Sequence, residues 1–307
     1  MAIVEVENLS ISFKRYTSRF KQVNHQVISN LNVSIEAGEI VAVVGASGSG
    51  KSMLAHALLG ILPKHANVSG TMTYKGEPLT AKRQGKLRGK EISLVPQSVH
   101  FLDPLMKIGK QVRQSAKHHK AAFLQKKVFE RYRLPEKTEK LYPFQLSGGM
   151  ARRALLATAV VSEAELIIAD EPTPGLDSAV IEEALTNLRE LADNGSAILL
   201  ITHDIEAALK IADKIAVFYA GTTVEVAPAA DFTGKGERLR HPYSKALWRA
   251  LPQNEFIPIP GAQPHPSELP PGCLFAPRCK SATSQCRHEQ PTNQTVRNGM
   301  VRCFHAT

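Results

Sequence analysis

No cysteine occurs in the first 272 of 307 residues, and no stretch approaches the roughly 18 uninterrupted apolar residues that a bilayer-spanning helix requires. The first absence rules out a disulfide-stapled framework over most of the chain, and the second rules out a membrane span. A signal-peptide pattern is also missing at the N-terminus, so a cytosolic or membrane-peripheral protein is expected. Nor is there an internal repeat of domain size or a long coiled-coil heptad pattern. Acidic residues are scarce in one half only: residues 1–150 carry 23 Lys and Arg against 10 Asp and Glu, whereas residues 151–307 carry 15 against 18. The densest basic runs, Lys14–Lys21 and Lys82–Lys90, could meet nucleotide phosphates, anionic lipid or nucleic acid, or could simply be solvated loops. With 43% hydrophobic and 21% charged residues, the chain has the composition of an ordinary globular protein with a full core.

What is present is organised around Gly45-Ala46-Ser47-Gly48-Ser49-Gly50-Lys51-Ser52, which fits the phosphate-binding pattern G-x-x-x-x-G-K-[ST]. An apolar run, Glu39–Val44, precedes it as a buried strand, and Met53–Ile61 follows as an apolar helix. Glycines let successive backbone N–H groups turn inward, and the helix adds the positive end of its dipole to the same concavity. A triphosphate is the natural ligand. Lys51 is placed to reach its β- and γ-phosphates, and the Ser52 hydroxyl to hold Mg²⁺.

Upstream, the alternation in residues 3–13 and again in 22–35 predicts half-buried strands, and Val68–Lys75 a further one, so the opening is mainly β. Glu91–Val95 reads as a buried strand ending at Pro96-Gln97. From Met106 to Arg133 the period becomes helical, marking a helical insertion over residues 98–147. Ser147 then caps an apolar helix whose glycines, Gly148 and Gly149, leave N–H groups uncovered, a second plausible anion site on local physics alone. Glu165–Asp170 is a buried strand delivering two adjacent carboxylates, Asp170 and Glu171. Asp177–Asp193 reads as an amphipathic helix, Ser196–Thr202 as a strand ending at His203, and Lys214–Ala220 as another strand, turned at Gly221. Strands alternating with helices predict an α/β fold with a parallel sheet. Gly45, Gln97, Asp170 and His203 all follow such strands, at the rim where open α/β sheets bind ligands.

Together these segments resemble the ATPase subunit of an ABC transporter. Gly45–Ser52 matches Walker A, Leu166–Asp170 with Glu171 matches Walker B and its catalytic glutamate, Gln97 the Q-loop, Leu146–Met150 the signature and His203 the switch histidine. The resemblance implies a P-loop NTPase core with an antiparallel β subdomain and a small helical subdomain in residues 1–230. It also implies roles: Asp170, Ser52 and Gln97 around Mg²⁺, Glu171 polarising the attacking water, His203 at the γ-phosphate, and Phe13 stacking on adenine, with Tyr16 a weaker candidate. Ser147, Gly148 and Gly149 would bind the ATP held by an opposing subunit, so two cassettes would face each other head to tail. One departure stands out. Where the family usually has Ser-Ala-Leu-Asp after Walker B, this chain has Pro174-Gly175-Leu176-Asp177, which removes a hydroxyl from the dimer seam and would suit a heterodimer with a different ATPase, a homodimer being the alternative.

Residues 231–307 form a distinct extension. Pro252, Pro258, Pro260, Pro264, Pro266, Pro270 and Pro271 predict extended chain, and all four cysteines, Cys273, Cys279, Cys286 and Cys303, follow. His241–Trp248 and Leu269–Cys279 resemble the tail of the oligopeptide, dipeptide and nickel importer ATPases. Reduced cytosolic thiols in a C-x₅-C-x₆-C-x₁₆-C spacing favour a metal, either a 4Fe-4S cluster or zinc, over free thiols or a disulfide. The resemblance leans towards iron–sulfur. His288 and His305 are nearby spare ligands. The branch implies ATP-driven import of peptides or a nickel-type chelate at the cytoplasmic face of the membrane, with a second ATPase, two transmembrane permeases and an extracytoplasmic binding protein as partners. No nucleic acid partner is expected; the rival reading is a soluble ABC ATPase acting on nucleic acid or ribosomes, and a non-hydrolysing redox module built on the cysteines is a further one.

Overall fold

The computed structural model describes residues 2–18, 21–116 and 120–307, with the side chains of 15–18 and 21–23 outside the described residues. In chain order the elements are β1 (Ala2–Ser18), β2 (Lys21–Glu36), β3 (Ile40–Gly45), α1 (Lys51–Leu59), β4 (Ala66–Tyr74), β5 (Glu77–Pro78), α2 (Ala81–Leu87) and β6 (Ile92–Val95). The insertion holds α3 (Ile108–Ser115) and α4 (Ala121–Arg131). Then come α5 (Gly148–Val160), β7 (Leu166–Asp170), α6 (Ser178–Asp193), β8 (Ala197–Ile201), α7 (Ile205–Leu209), β9 (Lys214–Tyr219) and β10 (Thr222–Pro228). The tail contributes α8 (Pro242–Arg249), α9 (Ser284–His288), β11 (Gln294–Val296) and β12 (Gly299–Val301).

Two sheets result. A four-stranded antiparallel sheet runs β2-β1-β4-β5, and an eight-stranded sheet runs β11-β12-β10-β9-β3-β8-β7-β6 with β9, β3, β8, β7 and β6 parallel. The parallel strands read as unbroken apolar runs because both of their faces are covered. In β3, Ile40, Ala42 and Val44 face one core with Ile167, Ile198 and Leu200, while Val41 and Val43 face the other with Ile168, Leu199 and Phe218. The first core lies under α5, α6 and the helical insertion, and the second under α1 and the antiparallel sheet.

Two features escaped the sequence reading. Basic residues 82–90 are not a loop: they start on α2, where Gln84 is buried and donates to the carbonyls of Ala57 and Leu58. Of the other basic run, the side chains beyond Lys14 lie outside the described residues. The tail also returns to the core, since β12 pairs with β10 at Glu225 and Val226.

A buried ionic knot fixes that return. Arg240, 1% exposed, donates to Glu225 (3.2 Å) and Asp231 (2.8 Å) and to the carbonyls of Val296 and Arg297, while Glu225 also accepts the N–H groups of Arg240 and His241. Its removal would leave the buried Glu225 carboxylate without its cation and Asp231 with Arg238 alone. Arg240→Ala is therefore expected to cost about 3–5 kcal/mol in urea unfolding, and a loss below about 1 kcal/mol would contradict this account of the tail.

Candidate active site

The loop after β3 owes its path to close backbone approach. A Cβ on Gly45 would stand 2.4 Å from the carbonyl oxygen of Phe218, so only glycine lets β3 end there. Ala46, Ser47 and Gly48 are exposed at the crest, whereas Ser49 is buried with its hydroxyl lacking any partner. Gly50 leads into α1, and Lys51 turns back so that its ammonium donates to the carbonyls of Gly45 (2.9 Å) and Ala46 (3.1 Å). Burial lowers the Lys51 pKa, an effect opposed by the nearby carboxylates of Glu171 and Asp170. Here is a desolvated cation and an orphan hydroxyl around one concavity, a chemistry suited to a bound anion.

The Ser52 hydroxyl donates to Asp170 at 3.1 Å, joining the start of α1 to the end of β7. Burial pushes the Asp170 pKa up, and the neighbouring Glu171 adds to that against the Ser52 bond. A divalent cation would reverse this penalty, so a hydroxyl and a buried carboxylate facing each other fit a hard ion such as Mg²⁺.

Glu171 takes a left-handed backbone, φ 48°, which costs a residue with a side chain some strain. Three bonds hold it there. Its N–H donates to Ile201 (2.8 Å), its carbonyl accepts from Arg152 (3.0 Å), and its carboxylate meets His203 Nδ1 at 2.8 and 2.9 Å. The carboxylate is nearly buried and the imidazole 66% exposed, so the pair points from the strand ends towards solvent. A carboxylate held this way can accept a proton from water beside a bound phosphate. Gln97 is exposed at the end of β6, its carbonyl bonded by Arg152.

Lys51, Ser52, Asp170, Glu171 and His203 thus come together, but Ser147, Gly148 and Gly149 do not join them. Ser147 accepts the Met150 N–H (3.3 Å) as the N-cap of α5, and among the described residues no hydrogen bond links it to the phosphate loop. A Cβ on Gly148 would meet nothing within 4 Å, so no described neighbour requires glycine there. Phe13 is half-buried on β1 with its ring edge-on to His65 at 5.6 Å, and the Tyr16 side chain lies outside the described residues. At the altered turn, Pro174 offers its carbonyl to Arg152 (3.3 Å), and Asp177 caps α6 through Val180 and pairs with Arg153 at 3.0 Å.

Arg152 was missed because the α5 sequence reads as an apolar run. Its spacing held a signal, since it shares a face with Leu155, Leu156 and Ala159, all buried, so it had to be buried with them.

Cys273, Cys279, Cys286 and Cys303 line a single small cavity together with His241 and His305. Burial raises the thiol pKa of Cys273 and Cys279, and that of Cys303 to about 11, and the neighbouring Cys286 adds to each of these shifts because thiolates repel. Among the described residues, however, no three His, Cys, Asp or Glu side chains stand close enough to hold a metal ion. His305 bonds Thr283, and His288 turns to the carbonyl of Ser284 instead.

A doubly covered parallel sheet, a phosphate loop ahead of α1, and a carboxylate–histidine pair at the strand ends define a nucleotide-hydrolysing cassette of the ABC transporter class. The ABC transporter family matches residues 28–174, and the C-terminal region of oligopeptide/dipeptide transporters matches residues 224–286. The chain belongs to the oligopeptide/dipeptide import branch of ABC transporter ATP-binding proteins. It is 35% identical to the oligopeptide transport ATP-binding protein OppD of Haemophilus influenzae, over 98% of this chain and 96% of that one. It is 34% identical to the dipeptide transport ATP-binding protein DppD of Escherichia coli, over 97% and 95%. A solved dimeric bacterial ABC transporter cassette superposes with a TM-score of 0.63 at 25% identity, over 74% of this chain and 98% of that one. Among the described residues no helix is long and apolar enough to cross a membrane.

Proposed function

We propose that this ABC transport ATPase hydrolyses ATP at the Lys51–Ser52–Asp170–Glu171–His203 site to drive the import of short peptides through partner permeases. The observation that carries the reading is the Glu171–His203 pair, held at the strand ends beside Asp170 and Ser52. Lys51 and the loop N–H groups from Gly45 to Ser52 bind the β- and γ-phosphates. Ser52, Asp170 and Gln97 would hold Mg²⁺, which neutralises phosphate charge when bound. Glu171 takes the proton of the attacking water, His203 fixes that carboxylate and meets the γ-phosphate, and Phe13 supports the adenine. The named relatives transport oligopeptides and dipeptides; the nickel-chelate alternative draws no support from them.

The site is half of a pair in this reading. Gly148 is small although no described neighbour crowds it, which fits a signature motif built to approach the ATP of an opposing cassette. Pro174 in place of the seam hydroxyl favours a non-identical ATPase as that partner. Phe101, Leu105 and Phe144 are 56%, 87% and 76% exposed on the insertion that follows Gln97, an apolar surface suited to a permease at the cytoplasmic face of the membrane. An extracytoplasmic binding protein would deliver cargo to those permeases. The named relatives are transport proteins, which favours import over an ATPase working on nucleic acid or ribosomes. ATPase assay of the assembled complex tests the reading; turnover insensitive to loaded binding protein would contradict it.

For the tail we infer a sulfur-ligated group, a 4Fe-4S cluster in preference to zinc. Its support is the gathering of four thiols on one cavity, where burial opposes the ionisation of Cys273, Cys279 and Cys303, which a cationic centre would reverse. Anaerobic purification should give a coloured protein with about four irons per chain, bleached by oxygen, as a cluster of this type requires. A colourless protein carrying zinc would overturn the cluster, and one carrying neither would overturn the site.

A further inference from the structure

The geometry points to Arg152 as the positioning residue that locks the Gln97 loop, the Glu171 peptide and the Pro174 turn into one unit. This rests on the reading of Glu171 as the water-activating carboxylate. Arg152 is 6% exposed and sits on the first turns of α5, directly behind Ser147–Gly149. Its guanidinium spends its donors entirely on backbone: Nη1 on the carbonyls of Pro96 (3.4 Å) and Gln97, Nη2 on that of Glu171 (3.0 Å), and Nε on that of Pro174 (3.3 Å). A buried guanidinium is costly unless its N–H groups find acceptors, and here three separate loops accept four bonds from it. Burial lowers its pKa while Glu171 and Asp170 offset that, so its charge also stands behind the two site carboxylates.

The consequence is mechanical. The bonded Glu171 carbonyl belongs to the residue with φ 48°, and among the described residues Arg152 and Ile201 are the groups that hydrogen-bond its backbone. The same side chain grips the peptides on either side of Gln97, Pro96–Gln97 and Gln97–Ser98, beside the exposed apolar surface of the insertion. A shift of Gln97 imposed from that surface therefore reaches the Glu171 backbone through one rigid, planar group. Movement of α5 reaches it too. No other described side chain bonds all three loops.

The test uses the assembled transporter with permeases, second ATPase and binding protein, comparing wild type, Arg152→Lys, Arg152→Gln and Glu171→Gln. Lysine keeps the charge but offers a single nitrogen, and glutamine keeps a donor without the charge. Both are expected to lower kcat by about 10- to 100-fold with the KM for ATP within about threefold, since small misplacement of a catalytic group has this effect. Stimulation of turnover by peptide-loaded binding protein should also fall towards unity, with lysine retaining more of it than glutamine. Nucleotide bound per cassette is measured alongside. If kcat falls only in proportion to bound nucleotide and the stimulation ratio is unchanged, Arg152 is merely structural and the inference is overturned. If Glu171→Gln is inactive while both Arg152 variants match wild type, the inference alone fails. Wild-type turnover in Glu171→Gln would remove the reading on which it rests.

Discussion

Glu171→Gln is expected to lower ATP turnover at this chain's site by about 10²- to 10⁴-fold, the usual contribution of a positioned base, while ATP is still bound. The substitution keeps the shape of the side chain and an acceptor for His203 but removes the ability to take a proton. The bonds to Ile201 and Arg152 are made by the backbone, so the left-handed peptide should persist. Loss of turnover would then be a loss of chemistry rather than of fold. Because the nucleotide is held but not cleaved, the variant with MgATP should accumulate as a closed pair of cassettes, visible by size-exclusion chromatography with light scattering. Unchanged turnover would remove Glu171 from the catalytic role.

Lys51→Ala is expected to act one step earlier, weakening ATP binding by about 10²- to 10³-fold, in line with the loss of one partner of a desolvated, hydrogen-bonded charge pair. Among the described residues the ammonium donates to the carbonyls of Gly45 and Ala46, and burial disfavours its charge. Removing it should therefore leave the melting temperature of the nucleotide-free protein close to wild type. The stabilisation that MgATP normally adds should vanish. Equilibrium binding and thermal melting with and without MgATP check both halves. Retained affinity would mean that the loop N–H groups hold the phosphates unaided.

Much of this site was legible because its residues announce themselves locally. The phosphate loop needs glycines at fixed intervals, and the buried strands β3 and β8, and β7 up to its last residue, carry no charged side chain, so Gly45, Asp170 and His203 could be placed at strand ends from the sequence. What was not legible depends on contacts distant in sequence. Arg152 lies 55 residues from Gln97 and 19 from Glu171, and only the fold brings their carbonyls around it. The pairing of β12 with β10 was hidden for the same reason: a three-residue strand carries too little alternation to be read, and its place follows from the Arg240 knot. Composition set residues 231–307 apart, yet pairing makes their end part of the central sheet.

ATP-driven accumulation of a labelled short peptide in proteoliposomes is the measurement that tests the central claim most directly. The liposomes would carry the complete transporter, with MgATP on the cassette side and binding protein on the other. Uptake is expected to require MgATP and to disappear in the Glu171→Gln complex although that complex still binds ATP. Uptake at the wild-type rate by the Glu171→Gln complex, or uptake without ATP, would contradict the account.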